Sequence, residues 1–187
     1  MKSPPGTEPM RHDNQWFVVG RASRRSLMMV AGALALQLVF AGCSSAPRET
    51  ARQVFERTVR EYHLPSADAS GAKREKLLAQ AASGYEQVVE LGKNEPPLCA
   101  AAVRSLANVR AEQGRVDEAV VLYSRVGEQY SNCDWEVVQS WKSAADLLWD
   151  AGRQSEASVF YRKIAQRFGS DPSPIIQTVA RAASRRA

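Results

Sequence analysis

From residue 47 onward, apolar side chains recur every three to four positions, and no stretch alternates apolar and polar over the length of a strand. That period predicts helices. A first helix is expected over 47–63, broken by Leu64-Pro65 and a loop from Ser66 to Gly71; a second is expected over 72–91, ending near Gly92. Pro96-Pro97 opens a helix to about 112, Gly114 turns the chain, and another helix runs to about 130. Asn132 or Asp134 is placed to cap a helix reaching Asp150; Gly152 turns again, and Ser155 lies near the start of a helix that reaches Phe168. Ser173-Pro174, a capping residue with proline at the first helical position, begins a last helix.

The pattern also repeats at long range. Tyr85, Tyr123 and Tyr161 are 38 residues apart, as are Ala81, Ala119 and Ala157, and Val88, Val126 and Ile164. Gly114 and Gly152 keep the same spacing, each followed by arginine, in GRVDEAVVLYSRV and GRQSEASVFYRKI. Four columns in register specify one unit used more than once. Glycine closes a tight turn between two helices, alanine lets the second lie close to the first, and the aromatic fills the seam one turn later.

These residues resemble the tetratricopeptide repeat, a pair of antiparallel helices over about 34 residues. The spacing here is four longer, with the extra residues placed in EPPLC and SNCDW. Val103, Leu106 and Ala107 match the family's first helix in one unit, and Trp141, Ala144 and Ala145 match it in the next. The family's proline after the second helix is missing, Asp171-Pro172 coming closest. The resemblance covers about residues 73–171 and implies an all-α fold: an α-solenoid of tetratricopeptide-like antiparallel helical hairpins, closed by a C-terminal capping helix and basic tail over 172–187.

Residues 1–42 fall outside this scheme. Basic residues Arg21, Arg24 and Arg25 precede fourteen mostly apolar residues, Leu27 to Phe40, and then small residues ending in Cys43. This is the three-part form of a secretory signal. The apolar run is shorter than the roughly 20 residues that cross a bilayer as a helix. Phe40-Ala41-Gly42-Cys43 resembles a bacterial lipoprotein processing site, with Phe40 in place of the usual leucine; the resemblance implies lipidation of the Cys43 thiol. Ser23-Arg24-Arg25-Ser26-Leu27 resembles a twin-arginine export signal, although two adjacent arginines also make an ordinary basic leader. Ser44, being other than Asp, implies sorting to the outer membrane. Residues 43–72 then form a lipidated N-terminus, a first helix and a linker.

Charge sharpens this division. The 187 residues carry 25 Lys and Arg against 20 Asp and Glu, a formal charge of +5. Residues 1–42 hold five of the bases and two of the acids, so the rest is near neutrality with its surplus in Arg181, Arg185 and Arg186. A nucleic-acid surface is therefore not expected.

Catalytic chemistry lacks its parts. His63 is the one histidine after residue 42, no Cys-x-x-Cys or His-x-x-x-His spacing occurs, and no glycine-rich phosphate loop or Gly-x-Ser-x-Gly is present. Neither a metal nor a cofactor is expected, and His63 reads as a surface residue at a helix end. Cys99 and Cys133 fall at the same open end of one hairpin. Two readings stand: a disulfide closing 34 residues and stabilising by roughly 3–4 kcal/mol, or two reduced thiols packed as small apolar groups.

By resemblance, the binding trench of such an array is lined by first-helix positions, here Arg104, Asn108 and Glu112 in one unit and Gln139, Lys142, Asp146, Trp149 and Asp150 in the next. Arg104 with Asn108 resembles half of a clamp for a peptide carboxylate; Asp146, where that clamp would want an amide, opposes a full one. Trp149 is the best single anchor if exposed, the alternative for Trp135, Trp141 and Trp149 alike being packing between helices. The segment YRKIAQRFGSDP resembles repeats of lipoproteins in outer-membrane β-barrel assembly and of Tol-Pal coordinator proteins. The expected role is a membrane-anchored periplasmic adaptor that binds an envelope protein or peptide and is not an enzyme. The alternatives are a pilus or secretin assembly accessory and an envelope enzyme or its activator.

Overall fold

A computed structural model describes residues 49–187 of the chain. The expected leader and Cys43 lie outside these residues. Among the described residues the regular structure is helical, with no strand.

Thr50 starts helix α1 (Ala51–Thr58) with a capping box: its hydroxyl accepts from the Gln53 amide, and the Gln53 side chain accepts from Thr50 N–H at 2.9 Å. The expected break at Leu64-Pro65 is absent. The chain runs on through a π turn (Val59–His63) into a short helix α2 (Leu64–Ala67). The wider turn is the physical reason, because Pro65 has no N–H to give and its ring needs room against the preceding turn. Bonding from Leu64 N–H back to Val59 O supplies that room. Then come α3 (Gly71–Leu91), α4 (Pro96–Glu112), α5 (Val116–Gln129), α6 (Asp134–Asp150), α7 (Gln154–Phe168) and α8 (Pro174–Ser184). All start and stop within a residue or two of the sequence expectation. Neither Asn132 nor Asp134 caps α6, however: its N-cap is Cys133, which makes no side-chain cap bond.

Two hairpins share one turn geometry. Gly114 and Gly152 have φ of +75° and +76°, a region where a Cβ costs roughly 1–2 kcal/mol. At each, the following arginine amide bonds back five residues, Arg115 to Arg110 O at 2.9 Å and Arg153 to Leu148 O at 2.8 Å. The glycine amides bond to Ala111 O and Trp149 O, both at 2.9 Å. This double closure satisfies carbonyls that the helix end would leave bare, and it sends the chain back antiparallel.

Packing then proceeds in chain order, each helix from α3 to α8 lying on the next, with α1 on α3. All nine members of the alanine, tyrosine and valine/isoleucine columns are buried. The core is continuous along the stack, since Val89 and Leu122 touch both of its halves. First helices also meet one another, α4 on α6 and α6 on α8, which puts them on the inner side.

The end of the stack departs from the repeat by one residue. The connections before α4 and α6 have four residues, and that before α8 has five, Gly169 to Ser173. One residue rotates a helix by about 100°. The column of Cys99 and Val137 would continue at Ile175, yet Ile176 is the buried one, at 7% exposure against 64% for Ile175. So turned, α8 buries Ile176, Ala180 and Ala183 and gives Thr178, Arg181, Ser184 and Arg185 to solvent.

Two substitutions test this packing. A Cβ at Gly127 would stand 2.4 Å from Nε1 of Trp141. Gly127→Ala is expected to cost about 1–3 kcal/mol by overpacking the α5–α6 seam. Conversely, the Ser140 hydroxyl is buried without a hydrogen-bond partner, at the position where the preceding unit has Ala102. Ser140→Ala should raise stability by about 1 kcal/mol. Urea midpoints moving in these opposite directions would bear the packing out, and a loss of stability in Ser140→Ala would contradict it.

Candidate functional site

The inner side is organised by its tyrosines. Tyr123, buried on α5, donates its hydroxyl hydrogen to Asn108 Oδ1 on α4 at 2.6 Å. Tyr161, buried on α7, donates to Asp146 Oδ1 on α6 at 2.7 Å. Both acceptors lie fifteen residues upstream. The phenol must be satisfied once it is buried, and the periodicity that repeats the tyrosine also repeats its acceptor. Burial pushes the phenol of Tyr123 up to about 12 and that of Tyr161 upward, so both stay protonated donors at neutral pH.

Tyr85 lacks that partner, because the residue fifteen before it, Ser70, is the N-cap of its own helix α3 and not on a facing helix. Its hydroxyl meets Nδ1 of His63 at 2.7 Å instead, and Nε2 of His63 reaches Glu112 Oε1 at 3.0 Å. With Tyr85 donating to Nδ1, Nε2–H donates to the Glu112 carboxylate. Arg74 completes the group, donating to Glu112 O at 3.0 Å and Oε2 at 3.3 Å. His63 is thus not a solvated helix-end residue; it ties the π turn to α3 and α4.

The expected trench divides into two parts. In its α4 part every side chain is already engaged. Arg104 Nε donates to Glu136 Oε2 at 2.5 Å, joining α4 to α6; Asn108 accepts from Tyr123, and Glu112 is held by His63 and Arg74. The half-clamp of Arg104 and Asn108 is therefore committed within the fold. In the α6 part, Lys142, Asp146 and Asp150 line a pocket of about 380 Å³ with Tyr161 from α7 and Val179 and Arg186 from the α8 end. Lys142 pairs with Asp146. Gln139, half-buried on α6, is not in that lining.

Trp149 is half-buried, its ring edge-on to Tyr161 at 6.3 Å between centroids. The guanidinium of Arg186 sits over it, 5.4 Å from the ring centre. Trp141 is half-buried beside Phe168 with Arg167 5.7 Å from its ring, while Trp135 is exposed. Cys99 and Cys133 are unbonded. The Cys99 thiol is buried and donates to Gly92 O at 3.0 Å, which turns it toward the α3–α4 connection. Burial raises both thiols above the ordinary cysteine value. They are packed as protonated, weakly nucleophilic groups.

The sequence alone does not place Arg186, His63, Glu136 or the acceptors of the tyrosines at these contacts. The acceptor column was the readable part, since Asn108 and Asp146 share the 38-residue spacing. No protein-family model matches the chain, and no curated protein matches it. Among the described residues no helix is long and apolar enough to cross a membrane, and no three His, Cys, Asp or Glu side chains gather as a metal site.

Deleting a hydroxyl and deleting its acceptor have unequal expected costs. Tyr123→Phe should lose about 1 kcal/mol, and Asn108→Ala, which leaves a buried phenol unsatisfied, about 1–3 kcal/mol. Alkali supplies a second test. Tyr85 and Tyr123 are raised from 10.0 to about 12, so between those values the folded chain holds protons that the unfolded chain releases. Stability is therefore full below pH 10 and falls as pH rises toward 12. Denaturation series across that window should show a shallower fall in Tyr123→Phe, and an unchanged slope would contradict the assignment.

Proposed function

We propose that the chain is an outer-membrane lipoprotein, anchored through Cys43, whose tetratricopeptide-like hairpins face the periplasm and hold a protein partner in cell-envelope assembly. The observation that carries this reading is the inner face of α4, α6 and α8. It is built on a repeat present both in the sequence and in the Tyr123–Asn108 and Tyr161–Asp146 hydrogen bonds, and it ends in an open pocket with charged walls. A scaffold of packed helices with polar side chains on its inner face suits recognition of a segment of another protein.

The N-terminal sequence supports the location. Cys43 follows the apolar run across Ala41 and Gly42, and lipidated lipoproteins of this type carry enough acyl chain for stable anchoring. Seven residues separate Cys43 from α1, a tether of less than about 30 Å even when fully extended. The partner would accordingly be met close to the membrane surface.

Two measurements test the reading. Palmitate labelling of the expressed chain should be lost in Cys43→Ala, and processing should stall with globomycin; labelling that survives the substitution removes the anchor. Affinity capture from envelope membranes should recover a protein partner that Trp149→Ala loses. Capture of no protein at all would move the chain to the class of envelope enzymes.

A further inference from the structure

We infer that the cluster of Trp149, Tyr161, Asp146 and Asp150, at the wall of the pocket between α6, α7 and α8, is a binding site for an arginine side chain of a partner protein, and that Arg186 of the same chain covers this cluster in the free state. The inference rests on the adaptor reading of this face and names the chemistry of what it holds.

The occupant defines the site. Nη1 of Arg186 donates to Tyr161 Oη at 3.2 Å and stands 3.8 Å from Asp146 Oδ1. Its guanidinium carbon is 5.4 Å from the centre of the Trp149 ring and 5.9 Å from that of Tyr161. Asp150 adds a second carboxylate to the lining. Two aromatic rings with two carboxylates form the surroundings a planar cation prefers, combining face attraction with charge. An ammonium fits less well, being compact, strongly hydrated and unable to stack on Trp149 while donating to Tyr161.

The same arrangement is missing from the preceding unit. Thirty-eight residues before Trp149, Asp146 and Asp150 stand Ala111, Asn108 and Glu112, so that unit keeps Tyr123 in the place of Tyr161 but lacks the tryptophan and has an amide in place of one carboxylate. The cage is therefore a property of this pocket and not of the repeat.

Arg186 fills the site loosely. It lies two residues beyond the end of α8, and its side chain keeps 53% of its exposure. It makes one hydrogen bond there although a guanidinium offers five donors. Both Asp146 oxygens are engaged, Oδ1 by the Tyr161 hydroxyl and Oδ2 by Lys142, so Arg186 makes no forked pair with this carboxylate. A tethered, partly satisfied ligand of this kind is a competitor that a better-placed arginine displaces.

A labelled peptide of residues 182–187, Ala-Ala-Ser-Arg-Arg-Ala, titrated into the full chain by fluorescence anisotropy tests this. Removing the tethered competitor in Arg186→Ala should tighten binding, by about tenfold for an Arg186 that leaves the cluster uncovered roughly a tenth of the time. The peptide with citrulline in place of both arginines, similar in shape but uncharged, should lose most of that binding. Trp149→Ala and, as a milder change at an exposed carboxylate, Asp150→Asn should each weaken it in the Arg186→Ala background. Equal affinity for wild type and Arg186→Ala, equal affinity for the arginine and citrulline peptides, or no binding to Arg186→Ala would each overturn the proposal. Peptide binding without any envelope partner would leave the pocket assigned and remove the adaptor role, whereas a captured partner with no arginine preference would do the reverse.

Discussion

A phenol sealed between two helices must find an acceptor, and here it finds one on the first helix of its own hairpin. Tyr123 reaches Asn108 and Tyr161 reaches Asp146. Each bond sets the depth and rotation of one helix against the other, because the ring is buried in the apolar seam while its hydroxyl must emerge at the inner face. The alanine column permits the close approach, and the left-handed glycines return the chain at the required distance. The inner face is therefore fixed from behind: Asn108 and Asp146 are held in place by tyrosines that belong to the core.

Where the repeat is incomplete, other groups take over the same task. At the N-terminal end Ser70 cannot serve Tyr85, and His63, carried in by the π turn, accepts in its stead and passes the contact on to Glu112. At the other end the five-residue connection rotates α8 so that its small apolar residues cover the last seam. Both ends of the stack are closed by local departures from the 38-residue rule. The price is that most of the expected trench is committed to internal contacts, leaving the α6–α8 pocket as its open part.

Much of this was legible from the chain alone. Helix identity and limits followed from periodicity and from Gly114, Gly152, Pro96 and Pro174, since those signals are local. Rotation about helix axes was less so. The exposure of Ile175 and burial of Ile176 depend on a single residue in a connection, which no periodic pattern announces. Pro65 reads as a stop because the π turn that accommodates it has no sequence signature of its own. Side chains predicted to be free, Arg104, Asn108 and Glu112, were instead claimed by Glu136, Tyr123 and His63. Those partners lie 15 to 49 residues away along the chain. The chemistry of Arg186 is hidden for the same reason: as one of three terminal arginines it reads as solvated charge, and only the placement of Trp149 and Tyr161 beneath it gives it a site.

The most direct measurement is a crystal structure of the chain, read at the two tyrosines. Tyr123 and Tyr161 hydroxyls within hydrogen-bond distance of Asn108 and Asp146, with α4–α5 and α6–α7 as antiparallel pairs, is the expected result. Hydroxyls turned to solvent or to other acceptors, or helices paired in another order, would contradict the claim that one buried hydrogen bond per hairpin sets the inner face.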